Sequence, residues 1–133
     1  MKSTRMKIVA ALLLSFGALA AQAAPEQIKM RWEVLRNEVT AQGERSRARL
    51  SVTALRGQSL PAQGWSLYFN CMEGVVTGPL AGHLVLEQVV GGSLFRVRPI
   101  AGFKGLPAGR TLNIDYYYPN LAIKLSRAPV GPY

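Results

Sequence analysis

The segment RARLSVTA, residues 47–54, alternates charged or polar side chains with apolar ones at every second position. This period of two is typical of a β-strand with one buried face, because successive side chains of a strand point to opposite sides. Similar alternation occurs in residues 28–34, 65–70 and 111–118. No segment shows sustained helical periodicity, and we therefore expect a protein built from β-strands.

Turn-forming residues separate these segments. The segments predicted to be loops are residues 37–44, 57–64 and 100–109, which are polar or contain glycine and proline. Gly91-Gly92 predicts the turn of a hairpin that joins residues 83–90 to the strand beginning at Ser93. A last short strand is predicted around residues 121–125. About six to eight short strands joined by such turns predict one all-β domain, an antiparallel β-sandwich.

The apolar positions of the alternating segments define the expected core. Both tryptophans fall on faces that would point inward, and we predict that they pack in the core rather than serve as a ligand platform. The predicted core residues are Met30, Trp32, Leu50, Val52, Trp65, Leu67, Phe69, Leu86, Phe95, Val97, Leu112 and Ile114.

The first 23 residues do not fit the strand pattern. Lys2, Arg5 and Lys7 precede a short apolar run, and Ala21-Gln22-Ala23 follows it. A basic start, an apolar stretch and an Ala-x-Ala end are the features of a secretory signal peptide. We therefore expect cleavage after Ala23, a mature domain of residues 24–133, and a periplasmic or secreted protein. Loss of the three early basic residues lowers the formal charge from +9 to +6.

The densest basic cluster is Arg45, Arg47 and Arg49, which would share one face of a strand. Clustered arginine is a feature of nucleic-acid sites. The expected export argues against a nucleic-acid partner, and a solvated strand edge protected from aggregation is the simpler interpretation.

The sequence offers little for catalysis. The seven acidic residues are isolated from one another, whereas glycoside hydrolysis normally needs a pair of carboxyl groups. Cys71 is the single cysteine and His83 the single histidine, so neither a disulfide, a catalytic Cys–His pair nor a metal-ligand set is expected. We predict no cofactor, no metal and no enzymatic activity of this chain on its own.

A sugar-binding surface is the remaining possibility. Sugars are held by aromatic rings, which contact their C–H groups, and by a few polar groups that bond their hydroxyls. If the neighbouring apolar residues point inward, Tyr68, Asn70 and Tyr117 point outward. We predict these three as carbohydrate-binding residues; their alternative role is that of ordinary strand residues.

Two longer stretches carry a family resemblance. The first covers RARLSVTAL at residue 47 and SLPAQGWSLYFN at residue 59; the second covers LFRVRPIAGF at residue 94, GLPAG at residue 105 and APVGPY at the end. These blocks resemble the N-terminal domain of bacterial chitobiases and β-N-acetylhexosaminidases of glycoside hydrolase family 20. The resemblance implies a β-sandwich similar to cellulose-binding modules. That family's catalytic acids lie in a following barrel, in a motif of the type His-x-Gly-Gly-Asp-Glu that this chain lacks.

Two functions follow as expectations from this resemblance. The first is an exported module that binds chitin-derived N-acetylglucosamine oligomers or polysaccharide, with no nucleic-acid partner and no membrane association after signal cleavage. The second is a structural, non-binding fragment of a truncated hexosaminidase, whose partner would be a hexosaminidase catalytic domain.

Overall fold

A computed structural model describes residues 28–55, 57–121 and 128–130. Within these residues the chain forms seven β-strands, all paired antiparallel. The strands are β1 (Ile28–Thr40), β2 (Gly43–Ala54), β3 (Leu67–Asn70), β4 (Gly78–Leu80), β5 (Leu84–Gln88), β6 (Leu94–Pro99) and β7 (Thr111–Tyr118).

The strands form two sheets. One has three strands in the order β1-β2-β7, and the other has four in the order β3-β6-β5-β4. The buried side chains of both sheets form one hydrophobic cluster, so the sheets pack through their inner faces. The predicted antiparallel β-sandwich is confirmed. Beyond β3, Val130 exchanges two backbone hydrogen bonds with Asn70 at 2.9 and 3.0 Å, and so extends the four-stranded sheet by one bridge.

The prediction of a loop at residues 37–44 is wrong, because β1 and β2 form a long hairpin that turns at Ala41 and Gln42. Polar residues continue the pairing here: Ser46 is fully buried, and its hydroxyl donates to Asn37 Oδ1 at 2.6 Å. The register shifts between Val34 and Arg36, which marks a β-bulge. The bulge reverses the alternation of β1, and this reversal hides the strand from a search for a constant period of two.

Smaller differences concern the ends of strands. The predicted strand at residues 65–70 begins at Leu67, so Trp65 precedes it and donates its Nε1–H to the carbonyl of Pro61 at 3.0 Å. The hairpin at Gly91-Gly92 is confirmed, with Gln88 opposite Phe95. Of the strand predicted around residues 121–125, Leu121 is in no strand and the rest lies outside the described residues.

The predicted core is confirmed. Eight of its twelve residues are buried and the other four, Met30, Trp32, Trp65 and Leu112, are half-buried against the buried cluster. Most of the twelve alternate with polar residues along a strand, and their burial follows from this period of two. The other buried hydrophobic residues in the described part of the chain are Ala48, Ala54, Cys71, Leu84, Leu106, Tyr116 and Tyr118.

An aromatic cluster joins the two sheets. The rings of Tyr116 in β7 and Phe69 in β3 are 6.0 Å apart, which links the three-stranded sheet to the four-stranded one. Trp32 Nε1 donates to the Tyr116 hydroxyl at 3.0 Å, and that hydroxyl lies 3.2 Å from the Tyr118 hydroxyl. Burial raises the pKa of Tyr116 to about 12. The buried hydroxyls therefore stay protonated and hydrogen-bonded, as buried polar groups must.

Replacement of a core leucine tests this packing. Leu86 is 1 % exposed in β5, and we expect Leu86→Ala to lower the free energy of unfolding by about 2–5 kcal/mol, because it opens a cavity between the sheets. Urea denaturation measures this change. The matched control is Val85→Ala on the outer face of the same strand, with an expected loss below about 1 kcal/mol. Equal losses in both variants would contradict the assignment of inner and outer faces.

Candidate functional site

The three predicted sugar-binding residues lie on two different faces. Tyr68 and Asn70 alternate with the buried Leu67 and Phe69, and therefore lie on the outer face of the four-stranded sheet. Tyr117 lies between two buried tyrosines in β7, on the outer face of the three-stranded sheet. The outward directions predicted for these side chains agree with the structure. The two faces are on opposite sides of the sandwich, so the three residues do not form one site.

The outer face of the three-stranded sheet is a ladder of polar cross-strand pairs between β2 and β7. The hydroxyls of Thr53 and Thr111 are 2.8 Å apart, and Ser51 donates to Asn113 Oδ1 at 2.9 Å. The next rung pairs Arg49 with Asp115. Since β2 is the central strand of this sheet, the interpretation of its arginine cluster as a strand edge is wrong.

Pairs of arginines share single carboxylates on this face. Arg47 Nη2 and Arg49 Nε donate to Asp115 at 2.6 and 2.7 Å. Hydrogen bonds from Arg49 and then Arg47 lower the pKa of Asp115, against the opposing effect of burial. Two residues from Arg47 along β2, Arg45 Nε donates to Glu38 at 2.6 Å. Each carboxylate therefore stays ionised well below neutral pH.

Arg45 also covers the predicted Tyr117. Its guanidinium carbon lies 4.8 Å from the centroid of the Tyr117 ring, within cation–π distance. One side of this ring is therefore already occupied by a side chain of the same sheet. A sugar can therefore stack only on the uncovered face of the Tyr117 ring, or contact its edge.

A groove lies beside Tyr117, between the edge strands β7 and β4. The backbone N–H of Val76 donates to the Tyr117 carbonyl at 2.8 Å and holds the segment before β4 along β7. The groove has a volume of about 320 Å³. It is lined by Arg47, Val76, Thr77, Gly78, Pro79, Leu80, Ala81, Asp115, Tyr116 and Tyr117. It thus combines an aromatic ring, a guanidinium, a carboxylate and small apolar side chains, which is the composition that sugar binding needs.

The outer face of the four-stranded sheet repeats the motif of two arginines and one acid. Glu87 in β5 accepts from Arg96 Nη2 and Arg98 Nη2, both at 2.6 Å. Hydrogen bonds from Arg98 and Arg96 lower the pKa of Glu87 to about 2. Tyr68 lies opposite Arg96 in the register of β3 and β6. This face therefore carries an aromatic side chain on a sheet surface, next to the charged triad.

Comparison with known proteins identifies the family. Residues 27–128 match the family model CHB_HEX, described as "Putative carbohydrate binding domain". The chain belongs to this family. The family match confirms the resemblance seen in the sequence. A search of curated proteins finds no match.

Solved structures agree with the fold of this domain. Two crystal structures of the family 20 exo-β-N-acetylglucosaminidase from Vibrio harveyi match at 20 % identity and a TM-score of 0.53; one is in complex with N-acetylglucosamine and the other is the inactive D437A mutant. The match covers 69 % of this chain but 13 % of the Vibrio harveyi chain. The domain is thus similar to a small part of a much larger enzyme.

The strand patterns alone did not reveal the partners of the acidic residues Asp115 and Glu87. Both acids are isolated from other acids in the sequence, whereas in the structure each accepts hydrogen bonds from two arginines of a neighbouring strand. A signal was available, because each arginine pair has the spacing Arg-x-Arg, which places both guanidiniums on one face of a strand. The wall formed by residues 76–81 depends on the approach of β4 to β7, which no local pattern encodes.

Other sites receive no support from the described part of the domain. No group of three His, Cys, Asp or Glu side chains there could hold a metal ion. In the same residues, no helix is both long and apolar enough to cross a membrane. Cys71 is 3 % exposed, and burial raises the pKa of its thiol, so the thiolate that a nucleophile requires is disfavoured.

Acid titration tests the arginine-bound carboxylate of Glu87. Since its pKa falls from 4.5 to about 2 on folding, its ion pairs stabilise the native state above pH 4.5, and this stabilisation is lost as the pH falls towards 2. We expect the stability difference between the wild type and Glu87→Gln to shrink across that window. Carboxyl NMR titration measures the pKa directly. A value near 4.5 would contradict the arrangement with Arg96 and Arg98.

Proposed function

We propose that the domain binds chitin-derived N-acetylglucosamine oligomers in the groove between β7 and β4. The observation that carries this proposal is that Tyr117, Arg47 and Asp115 line one groove in a chain that belongs to a carbohydrate-binding family. The matched structure with N-acetylglucosamine bound belongs to the Vibrio harveyi enzyme as a whole. It makes this sugar the first ligand to test.

The chemistry of the groove suits an uncharged amino sugar. The guanidinium of Arg47 can donate to sugar hydroxyls and to the acetamido carbonyl, and Asp115 can accept from hydroxyls or from the acetamido N–H. The side chains of Val76 and Pro79 offer contacts for the acetamido methyl group and the ring C–H groups. Because Arg47 and Asp115 bond each other at 2.6 Å, both are held in place before the ligand arrives.

The size of the groove limits what it can hold. Its volume of about 320 Å³ is at the small end of the range of roughly 300–1,000 Å³ that ligand pockets occupy. We propose that it holds one or two sugar units, with the rest of an oligomer extending along the sheet surface. Affinity should therefore rise little beyond a short oligomer.

Replacement of one tyrosine on each outer face tests this site. We expect Tyr117→Ala to weaken binding of soluble chitin oligomers by about tenfold or more, because the ring wall of the groove is lost. Tyr68→Ala on the opposite face should leave the affinity unchanged. Isothermal titration calorimetry measures the affinities of both variants. Titrations at low and high salt distinguish sugar binding from the non-specific attraction of anionic contaminants to a basic protein.

The outcomes separate the possible sites. Tyr117→Phe keeps the ring and should bind within about threefold of the wild type. Loss of binding in Tyr68→Ala with full binding in Tyr117→Ala would instead assign the site to Tyr68 and Asn70. No salt-resistant binding by the wild type would contradict a chitin site anywhere on this chain.

A structural role is the second candidate. The matched part of this chain covers 13 % of the Vibrio harveyi enzyme, so a domain of this kind can support a separate catalytic domain rather than bind sugar. In that case the purified domain would bind no chitin oligomer, but would associate with a family 20 catalytic domain supplied separately. Association measured by sedimentation, together with absent sugar binding, would favour this role over the first.

Export and lack of catalysis complete the proposal. We propose that the signal peptide, residues 1–23, directs the domain to the periplasm or outside the cell, and that the domain hydrolyses no sugar on its own. The intact mass of the exported protein should correspond to a chain that begins at Ala24. Turnover of a chromogenic N-acetylglucosaminide by the pure domain would overturn the second statement.

A further inference from the structure

The outer face of the three-stranded sheet carries an excess of positive charge. Its described residues include six cations and three carboxylates, which leaves a surplus of three positive charges on one flat surface. The cations are Lys29, Arg31, Arg36, Arg45, Arg47 and Arg49, and the carboxylates are Glu33, Glu38 and Asp115.

The positive groups also lie nearer to solvent than the negative ones. The side chains of Arg36 and Arg45 are 66 % and 48 % exposed, whereas that of Glu38, which both contact, is 9 % exposed. The same order holds where Arg47, at 40 %, covers Asp115, at 18 %. The two carboxylates hold the guanidiniums in place from beneath. A ligand that approaches this face therefore meets guanidinium groups first.

The β-bulge at Leu35 is what completes this arrangement. Val34 points to the core, so uninterrupted alternation would turn Arg36 and Glu38 inward and Asn37 outward. The register shift instead brings Arg36 opposite Arg47 and Glu38 opposite Arg45, on the outer face. Bulges commonly redirect side chains in this way beside functional sites. Two arginines placed directly opposite each other cost stability, which suggests a role other than folding.

The spacing of the guanidiniums is regular. Arg45, Arg47 and Arg49 follow each other on one face at about 6.8 Å intervals, since each residue of a strand advances about 3.4 Å. Arg36 lies one strand away from Arg47. Each guanidinium carries five N–H donors in a planar fork, and the bonds to Glu38 and Asp115 use one or two nitrogens of each.

We infer that this face, from Arg36 to Arg49, binds a carboxylated polysaccharide. A guanidinium fork matches a carboxylate in shape and charge, and a polymer with regularly repeated carboxylates can engage several forks at once. This surface adjoins the groove proposed for chitin oligomers and shares Arg47 with it, but Arg36, Arg45 and Arg49 do not line that groove. The inference stands whether or not the groove binds chitin.

Two other anionic partners fit the face less well. Nucleic-acid strands are usually held by stacking on aromatic rings, and among the outward residues described for β1, β2 and β7 the one aromatic ring, that of Tyr117, is covered by Arg45. Insertion into an anionic membrane needs protruding apolar side chains. On the same described strands, the exposed large aliphatic side chains are Leu35, at 38 %, and Val39, at 77 % beside the hairpin turn, which are two single side chains four residues apart.

A matched pair of triple variants tests the inference. The first variant replaces one arginine–carboxylate triad of this face by neutral amides, and combines Arg36→Gln, Glu38→Gln and Arg45→Gln. The second variant replaces the triad on the opposite face, with the same change in net charge, and combines Arg96→Gln, Glu87→Gln and Arg98→Gln. We expect the first to weaken binding of oligogalacturonate by about tenfold and the second by less than about twofold. Calorimetry measures the affinity, and a thermal melt confirms folding.

Further controls separate shape from charge. Methyl-esterified oligogalacturonate has the same backbone without the charge and should not bind, and monomeric galacturonate should bind far more weakly than the oligomer. Arg36→Lys with Arg45→Lys keeps the charge but removes the fork, and should weaken binding by about threefold or more. Equal losses in the two triple variants, or tighter binding of an oligodeoxynucleotide or of phosphatidylglycerol vesicles, would overturn the inference.

Discussion

Leu50 lies opposite Ile114 where β2 pairs with β7, and both side chains point into the space between the sheets. The same register places Arg49 opposite Asp115 on the outer face. Because side chains alternate along a strand, a slip by one residue would bury the arginines and expose the core. The core and the charged face are therefore two consequences of one register.

Polar bonds on both faces support this register. On the inner side, Ser46 is fully buried and bonded to Asn37 and to the carbonyl of Asn120, and Tyr116 is bonded to Trp32. On the outer side, cross-strand pairs join the ionised carboxylates of Glu38 and Asp115 to the more exposed arginines. Such pairs add little stability at an exposed surface, where each contributes about 1 kcal/mol or less. Their main effect is to hold the guanidiniums in a fixed array, which favours a binding role over a purely structural one.

The fold could largely be predicted from the sequence, because strand alternation in residues 47–54 and 111–118 reports directly on burial. The first hairpin could not, since the bulge at Leu35 changes the period within β1. The outward direction of Tyr68, Asn70 and Tyr117 also followed from alternation. Their distribution over two faces did not, because it depends on which sheet each strand joins. The groove next to Tyr117 and the partners of Asp115 depend on contacts between distant segments, which local patterns do not report.

Both proposed ligands bind on the side of the three-stranded sheet. The most direct measurement is an NMR titration of the isotope-labelled protein with chitin oligomers and, separately, with oligogalacturonate. We expect shifts of backbone amides in β7 and residues 76–81 for the first ligand, and in residues 36–49 for the second. Shifts confined to β3, β5 and β6, or no shifts with either ligand, would contradict this placement of the ligands.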